Sequence, residues 1–209
     1  MKSIKTPLLL LSGLFVCIII LTRCNSNTST QKAGADSTNA MTKEDPVAHG
    51  KYLVMAGGCE DCHSPKVFDE HGTPSFDPTK TLSGHPADEP LPKEFNPSMV
   101  TPGKVFMCSQ DLTTWFGPWG TSFPRNLTPD SATGIGAWTA EMFKNILRSG
   151  HHMGAAAGRP IMPPMPWQAI GAMKDEDLND IFAYLKSLKP ISNNVPEYIP
   201  GPPPPTAKK

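Results

Sequence analysis

The chain has 209 residues and equal numbers of basic and acidic side chains, 19 of each, so its formal charge is zero. This balance excludes a strongly basic nucleic-acid-binding protein and an acidic solvating tail. The 24 prolines and 17 glycines argue against long uninterrupted helices or a large central sheet. Apolar residues make up only 38%, so we expect the core to need a cofactor, a metal or disulfides.

Residues 1–23 have the features of a targeting segment. Lys2 and Lys5 precede an apolar run over residues 8–21, which is short for a bilayer span but suits a signal peptide. The run ends in Leu21-Thr22-Arg23-Cys24, which resembles a bacterial lipoprotein signal with Cys24 as the lipidated residue. Arg23 stands where a small residue is usual, so an uncleaved membrane anchor is the alternative. Either outcome predicts export to the periplasmic side and a membrane tether.

Two flanking segments lack the apolar pattern of a folded domain. Residues 24–45 are rich in Ser, Thr, Asn and Ala, which predicts a flexible tether. Residues 192–209 end in Pro-Gly-Pro-Pro-Pro-Pro-Thr-Ala-Lys-Lys, which predicts an extended Pro-rich tail that acts as a spacer.

Between these segments the sequence predicts short helices separated by long loops. One helix begins at Asp45-Pro46 and ends at Gly57, and a second begins at Thr139 and ends at Gly150. A third covers about 175–188, where apolar residues recur at spacings of three and four. Residues 66–125 contain many prolines and no sustained period-two alternation, so we expect a loop-rich insertion and an all-α fold.

The sequence Cys59-Glu60-Asp61-Cys62-His63 is the pattern of covalent haem c attachment. Two thiols three residues apart reach the two vinyl groups of one haem, and the adjacent His63 supplies an imidazole to the iron. The alternatives are a redox disulfide and half of a zinc site. The redox motif normally follows a strand, whereas a helix and Gly-Gly precede this one. A zinc site needs a second ligand pair, and Cys108 stands alone downstream.

We expect the second axial ligand of the iron to lie downstream of the attachment motif. Residues 158–167 read Gly-Arg-Pro-Ile-Met-Pro-Pro-Met-Pro-Trp, and prolines restrict the backbone around both methionines. This setting favours a ligand loop containing Met162 and Met165 over methionines that only fill the core. The other candidates are His151, His152, Met153 and Met173, and an open coordination position is the remaining alternative.

These motifs together resemble a class I cytochrome c. The features are the helix-Gly-Gly-Cys-x-x-Cys-His start, the Met-Pro-Trp loop and the closing helix from Lys174. The stretch from Asn126 to Trp138 is typical of the longer domains similar to dehydrogenase cytochrome subunits. The resemblance covers residues 46–191 and implies a class I cytochrome c fold around one covalent haem. It also implies that Met165 is the axial ligand, since Met162 falls where the family has an aliphatic or aromatic residue.

The resemblance assigns further roles by position. It implies that Trp138 and Trp167 wall the haem pocket and that Arg159 faces a propionate. Gly50 and Tyr52 of the first helix are expected to contact the last helix, where Asp175 replaces Lys174 as the N-cap. Cys108 is expected to be buried and inert, or else to form an intermolecular disulfide. The histidines outside the attachment motif are expected at the surface, namely His49, His71, His85, His151 and His152.

A haem ligated by His63 and Met165 has no vacant position for oxygen or peroxide. The sequence therefore predicts a membrane-tethered one-electron carrier in a periplasmic respiratory or dehydrogenase chain, with a dehydrogenase or an oxidase as its redox partner. The alternative from another class is a haem enzyme, peroxidase-like or a small-substrate oxidase, with a labile or absent sixth ligand. A haem-bearing sensor or assembly module is a third reading, although no signalling domain follows.

Overall fold

A computed structural model of the chain describes residues 45–90, 100 and 105–201. The predicted signal segment 1–23, Cys24, the tether up to residue 44 and the last part of the tail lie outside the described residues. Among the residues that are described, no helix combines the length and the apolar character that crossing a bilayer requires.

Five α-helices form the framework of the described part of the chain, and the three helices predicted from the sequence are confirmed. Asp45 accepts a hydrogen bond from the Val47 amide and caps the first helix. Thr139 accepts one from the Met142 amide and caps the third, which ends at Gly150 in the left-handed conformation. The helices are α1 (Pro46–Ala56), α2 (Cys59–His63), α3 (Ala140–Ser149), α4 (Trp167–Gly171) and α5 (Asp175–Ser187), with a short 3-10 helix at His152–Gly154.

Helices α1 and α5 cross at very short range. A Cβ atom on Gly50 would lie 1.9 Å from the Asp180 carbonyl oxygen, so only glycine fits there. The neighbouring His49 Nδ1 lies 2.9 Å from Asp180 Oδ2 across the same contact. The expected contact of Tyr52 is wrong, because two helical residues beyond Gly50 correspond to a rotation of about 200°. Tyr52 is accordingly 64% exposed.

The predicted N-cap at Asp175 is also wrong. Lys174 holds the cap position of α5 and makes no side-chain capping bond. The Asp175 carboxylate instead accepts hydrogen bonds from Arg148 and from Lys144, whose Nζ lies 3.3 Å from Asp175 Oδ2. The Asp175 side chain therefore links α5 to α3 through these ion pairs and does not cap the helix.

The helices enclose an apolar core that also includes two loop residues. Leu82 from the insertion is 0% exposed and Ile135, which precedes α3, is 1% exposed. They pack with buried side chains of α1, α3 and α5, namely Val54, Phe143, Leu147, Leu178, Ile181, Phe182, Tyr184 and Leu185.

The all-α prediction is wrong, because the insertion contains short antiparallel strands. Strands β1 (Lys66–Phe68) and β2 (Pro74–Phe76) form a hairpin. A second sheet has the strand order β3 (Met107–Cys108), β4 (Trp115–Gly117), β5 (Gly120–Ser122) and β6 (Ile199–Pro200). Strands of two or three residues cannot show a period-two pattern, which explains why the sequence did not reveal them.

The prediction of a spacer tail fails for residues 192–201. Asn193 Nδ2 donates hydrogen bonds to the carbonyl oxygens of Ser83 and His85, at 2.7 and 2.8 Å. Val195 is 6% exposed. Strand β6 then pairs with β5, so this part of the chain belongs to the folded domain.

Candidate haem-binding site

A cavity of about 620 Å³ lies between the helices and the insertion, within the size range of cofactor sites. Apolar side chains from α1, α3 and α5 form much of its wall, including Val54, Ile146 and Leu185. The sequence-predicted residues that line it are Cys59, Cys62, His63, Trp138, Arg159 and Met165, together with the alternative ligands Met162, Met173 and His152.

His63 is held in the tautomer that suits an iron ligand. Its Nδ1 lies 2.7 Å from the backbone carbonyl oxygen of Arg125. A carbonyl oxygen only accepts, so Nδ1 carries the proton and Nε2 keeps its lone pair. Burial lowers the pKa of His63, although the Arg125 carbonyl opposes the shift. Burial thus favours the neutral imidazole, which is the form that metal ligation requires.

Cys59 and Cys62 lie on the single helical turn α2, which Gly58 introduces with a left-handed φ of 64°. Burial raises the pKa of Cys59 to about 11 and also raises that of Cys62, which Lys66 opposes. Reactive redox cysteines have lowered thiol pKa values, so these thiols do not resemble a redox pair. The described residues also contain no group of three or more His, Cys, Asp or Glu side chains able to hold a metal ion.

The loop with the two candidate methionines is fixed at several points. Ile161 N donates to the Gly150 carbonyl oxygen at 2.8 Å, which anchors the start of the loop. Ser122 Oγ of β5 donates to the Pro163 carbonyl oxygen at 2.6 Å. Met162 and Met165 both line the cavity, and Met165 also packs against the apolar core. The insertion thus supports the predicted ligand loop directly.

The two tryptophans expected at the pocket differ in position. Trp138 lines the cavity, and its ring meets that of His152 edge-on with the centroids 5.9 Å apart. Trp167 does not line the cavity. Its ring lies against Gly150, where a Cβ atom would be only 2.5 Å from Trp167 Cζ2. Helix α4 turns this side chain towards the end of α3, and a place for Trp167 beside the haem stays a prediction.

One part of the cavity wall is cationic. Arg159 lines the cavity as the resemblance implied, and Arg125, which sequence reasoning missed, lines it too. Burial lowers the pKa of Arg159, and the charge of Arg125 adds to the effect while Glu197 opposes it. His152 is affected in the same way: burial lowers its pKa, followed by the charges of Arg159 and Arg125. Two guanidinium groups at an apolar cavity suit a ligand with carboxylates, such as haem with its propionates.

Two residues outside the cavity lining contradict their sequence predictions. His85, expected at the surface, is 1% exposed, and its ring packs at a tilt of 40° against Phe123, which lines the cavity, with ring centroids 4.8 Å apart. Cys108, expected to be buried, is exposed on the edge strand β3. The folding of the insertion sets both exposures, and its course was not visible in the sequence.

The part of the chain that contains the methionine loop matches a known protein family. Residues 118–189 match the family model for cytochrome c. The class I cytochrome c resemblance is confirmed. The match contains Trp138, Arg159, both loop methionines and helix α5, whereas the Cys-x-x-Cys-His motif precedes it.

The chain is similar to cytochrome subunits of dehydrogenases. The gluconate 2-dehydrogenase cytochrome c subunit of Pantoea cypripedii is 29% identical over 158 residues, which are 75% of this chain and 26% of that protein. The fructose dehydrogenase cytochrome subunit of Gluconobacter japonicus is 24% identical over 173 residues, 82% of this chain and 27% of that protein. The cytochrome c subunit of the quinone alcohol dehydrogenase of Gluconobacter oxydans is 32% identical over 83 residues, 38% of this chain and 17% of that protein. The chain therefore spans about a quarter or less of the length of these relatives.

Sequence reasoning about the cytochrome domain missed the cavity residues contributed by the C-terminal segment. Pro196 and Tyr198 line the cavity, although they lie in the predicted spacer. The presence of Val195, Tyr198 and Ile199 among the prolines could have indicated that this segment is folded, since a solvated spacer has little need of large apolar side chains. Arg125 was visible as the basic residue directly before the Asn126-Leu127-Thr128 motif.

Proposed function

We propose that this chain is a membrane-tethered one-electron carrier that binds a single haem c. Cys59 and Cys62 would form the two thioether bonds, and His63 and Met165 would be the axial ligands. One observation carries the proposal: the attachment cysteines, a neutral imidazole with a free Nε2 and a pinned methionine loop all line the same apolar cavity. The donor set and the two arginines fit haem and its carboxylates.

When bound, haem c supplies a redox couple, since its iron changes between the ferric and the ferrous state by losing or gaining one electron. His63 and Met165 would both hold the iron and would leave no position at the metal for oxygen or peroxide. The neutral thioether of Met165 favours the ferrous form. The apolar wall excludes water, which limits reorganisation when the charge changes.

The proposed partner is a dehydrogenase or an oxidase. The cytochrome subunits named above belong by their names to gluconate, fructose and alcohol dehydrogenases, which supports electron transfer from a dehydrogenase. We place the chain on the periplasmic side, anchored through a lipidated Cys24 on the tether 24–45. A tether of this kind raises the effective concentration of a carrier near membrane-bound partners.

Haem content and ligand reactivity test the proposal together. The full chain is exported in a host that attaches haem c, and the haem per polypeptide is measured as the pyridine haemochrome. We expect one haem per chain and a low-spin ferric spectrum. We also expect cyanide to bind more slowly than it binds to a haem with an open sixth position. The Cys59→Ala/Cys62→Ala variant is the control, since it removes both attachment points and is expected to carry no covalent haem.

The rival function as a haem enzyme gives the opposite result. A ferric spectrum of the high-spin type, or rapid binding of cyanide and turnover of peroxide, would show an open sixth position. More than one haem per chain would contradict the single attachment motif.

A further inference from the structure

The C-terminal segment of the described chain crosses one side of the cavity. We call residues 191–201 the closing segment. Asn193 fixes its start through the insertion, because Asn193 Oδ1 also accepts from the Ala87 amide at 3.0 Å. The pairing of Ile199 with Thr121 in β5 fixes its end. Tyr198 lies between these anchors, lines the cavity and donates from its hydroxyl to the Trp119 carbonyl oxygen.

The closing segment brings one carboxylate to the cationic wall. Arg125 Nη2 donates to Glu197 Oε1 at 2.5 Å, and Arg159 Nε lies 4.0 Å from Glu197 Oε2. Arg125 Nη1 also donates to the carbonyl oxygens of Val195 and Pro196, at 3.0 and 2.8 Å. Arg125 thus holds the closing segment, and Glu197 spans both cavity arginines.

Glu197 brings a carboxylate of the polypeptide to two arginines that lie close together. Arg125 and Arg159 are close enough to affect each other, and their side chains are only 37% and 35% exposed. The hydrogen bond from Arg125 lowers the pKa of Glu197, although burial opposes this, so the carboxylate stays ionised. His152 is another titratable group near this wall, and its pKa is lowered first by burial and then by the charges of the same two arginines.

We propose that Glu197 is a positioning residue that holds Arg125 and Arg159 and lowers the midpoint potential of the haem by partly neutralising them. This inference rests on the proposed haem site. Oxidation of ferrous to ferric iron releases one electron to the accepting partner and leaves one more positive charge in the cavity. The two guanidinium groups disfavour that charge, and the Glu197 carboxylate beside them reduces the penalty.

The test is a potentiometric titration of the exported, haem-loaded protein at low ionic strength, where charge effects are least screened. We expect Glu197→Gln to raise the midpoint potential, because one negative charge near the haem is lost. Glu197→Asp keeps the charge and is expected to stay closer to the wild type. The matched control is Glu70→Gln, which removes the same charge from a side chain that is 87% exposed in the β1–β2 turn.

Two results would overturn the inference. One is a potential of Glu197→Gln that moves no more than that of Glu70→Gln, and the other is an equal shift in Glu197→Asp and Glu197→Gln. A chain that carries no covalent haem at all contradicts the proposed function instead, so the two failures are distinguishable. Equal haem content in all variants shows that folding is intact.

Discussion

His85 shows how a single buried side chain makes the stability of this domain depend on pH. Thr113 Oγ1 donates to Asp111 Oδ2 at 2.5 Å and therefore accepts from His85 Nδ1, which lies 3.0 Å away. Burial lowers the pKa of His85 below its ordinary 6.5, although the charge of Asp111 opposes the shift. The folded state thus keeps this imidazole neutral at pH values where the unfolded chain binds a proton.

We expect the free energy of unfolding to fall as the pH drops below 6.5, the ordinary pKa of the His85 side chain. Above that pH neither state is protonated at His85, and the contribution is complete. Denaturant unfolding at about pH 7, 6 and 5 measures the effect, because this range brackets histidine titration. His85→Gln should flatten the pH dependence, whereas His71→Gln, with a side chain that is 79% exposed, should leave it unchanged. Equal slopes in both variants would refute this role of His85.

The chemistry of individual residues was predictable where it depends on local spacing. Cys59, Cys62 and His63 share one helical turn, so their sequence positions already fix their relative arrangement. The exposure of His85 and Cys108 was not predictable, because it depends on the insertion that packs around them. The same holds for Arg125, whose backbone carbonyl selects the tautomer of His63 from a distance of 62 residues along the chain.

At the scale of elements, the second sheet has a specific task. Ser122 at the end of β5 is 6% exposed and donates to the Pro163 carbonyl oxygen inside the methionine loop. Its hydroxyl also accepts a hydrogen bond from Trp119 Nε1 at 3.3 Å. The sheet therefore restrains the loop that carries the proposed ligand.

We expect Ser122→Ala to lower the free energy of unfolding by about 1 kcal/mol, the usual net value of one hydrogen bond. We also expect the proposed Met165–iron bond to be lost under milder conditions, since the loop has lost a restraint. Denaturant unfolding measures the first effect, and the ferric near-infrared absorption during a titration to alkaline pH measures the second. Ser75→Ala on the exposed strand β2 is the control. A Ser122→Ala variant that matches this control in both measurements would contradict the assigned task.

Helices with clear ends were predictable, and short strands were not. Asp45, Thr139 and Gly150 mark helix ends through caps that depend on residues only a few positions away. Strands of two or three residues exist only through their partners, as when Ile199 pairs with Thr121 far earlier in the chain. The closing segment was missed for the same reason, since proline content alone suggested a spacer.

At the scale of the whole molecule, the proposed anchor gives a direct prediction. We expect Cys24→Ala to move the exported protein from the membrane fraction to the soluble fraction, because the lipid attachment point is lost. Labelling with a fatty acid and cell fractionation measure this. Cys108→Ala is the matched control and should remain with the membrane. Retention of Cys24→Ala in the membrane fraction would favour an uncleaved anchor.

The central claim is that this chain supplies both axial ligands of one haem, with His63 on one side and Met165 on the other. The most direct measurement is the near-infrared spectrum of the ferric, exported protein, compared among the wild type, Met165→Ala and Met162→Ala. We predict a methionine-to-iron charge-transfer band in the wild type and in Met162→Ala, and its loss in Met165→Ala. A band that survives in Met165→Ala but disappears in Met162→Ala, or a wild type without the band, would contradict the claim.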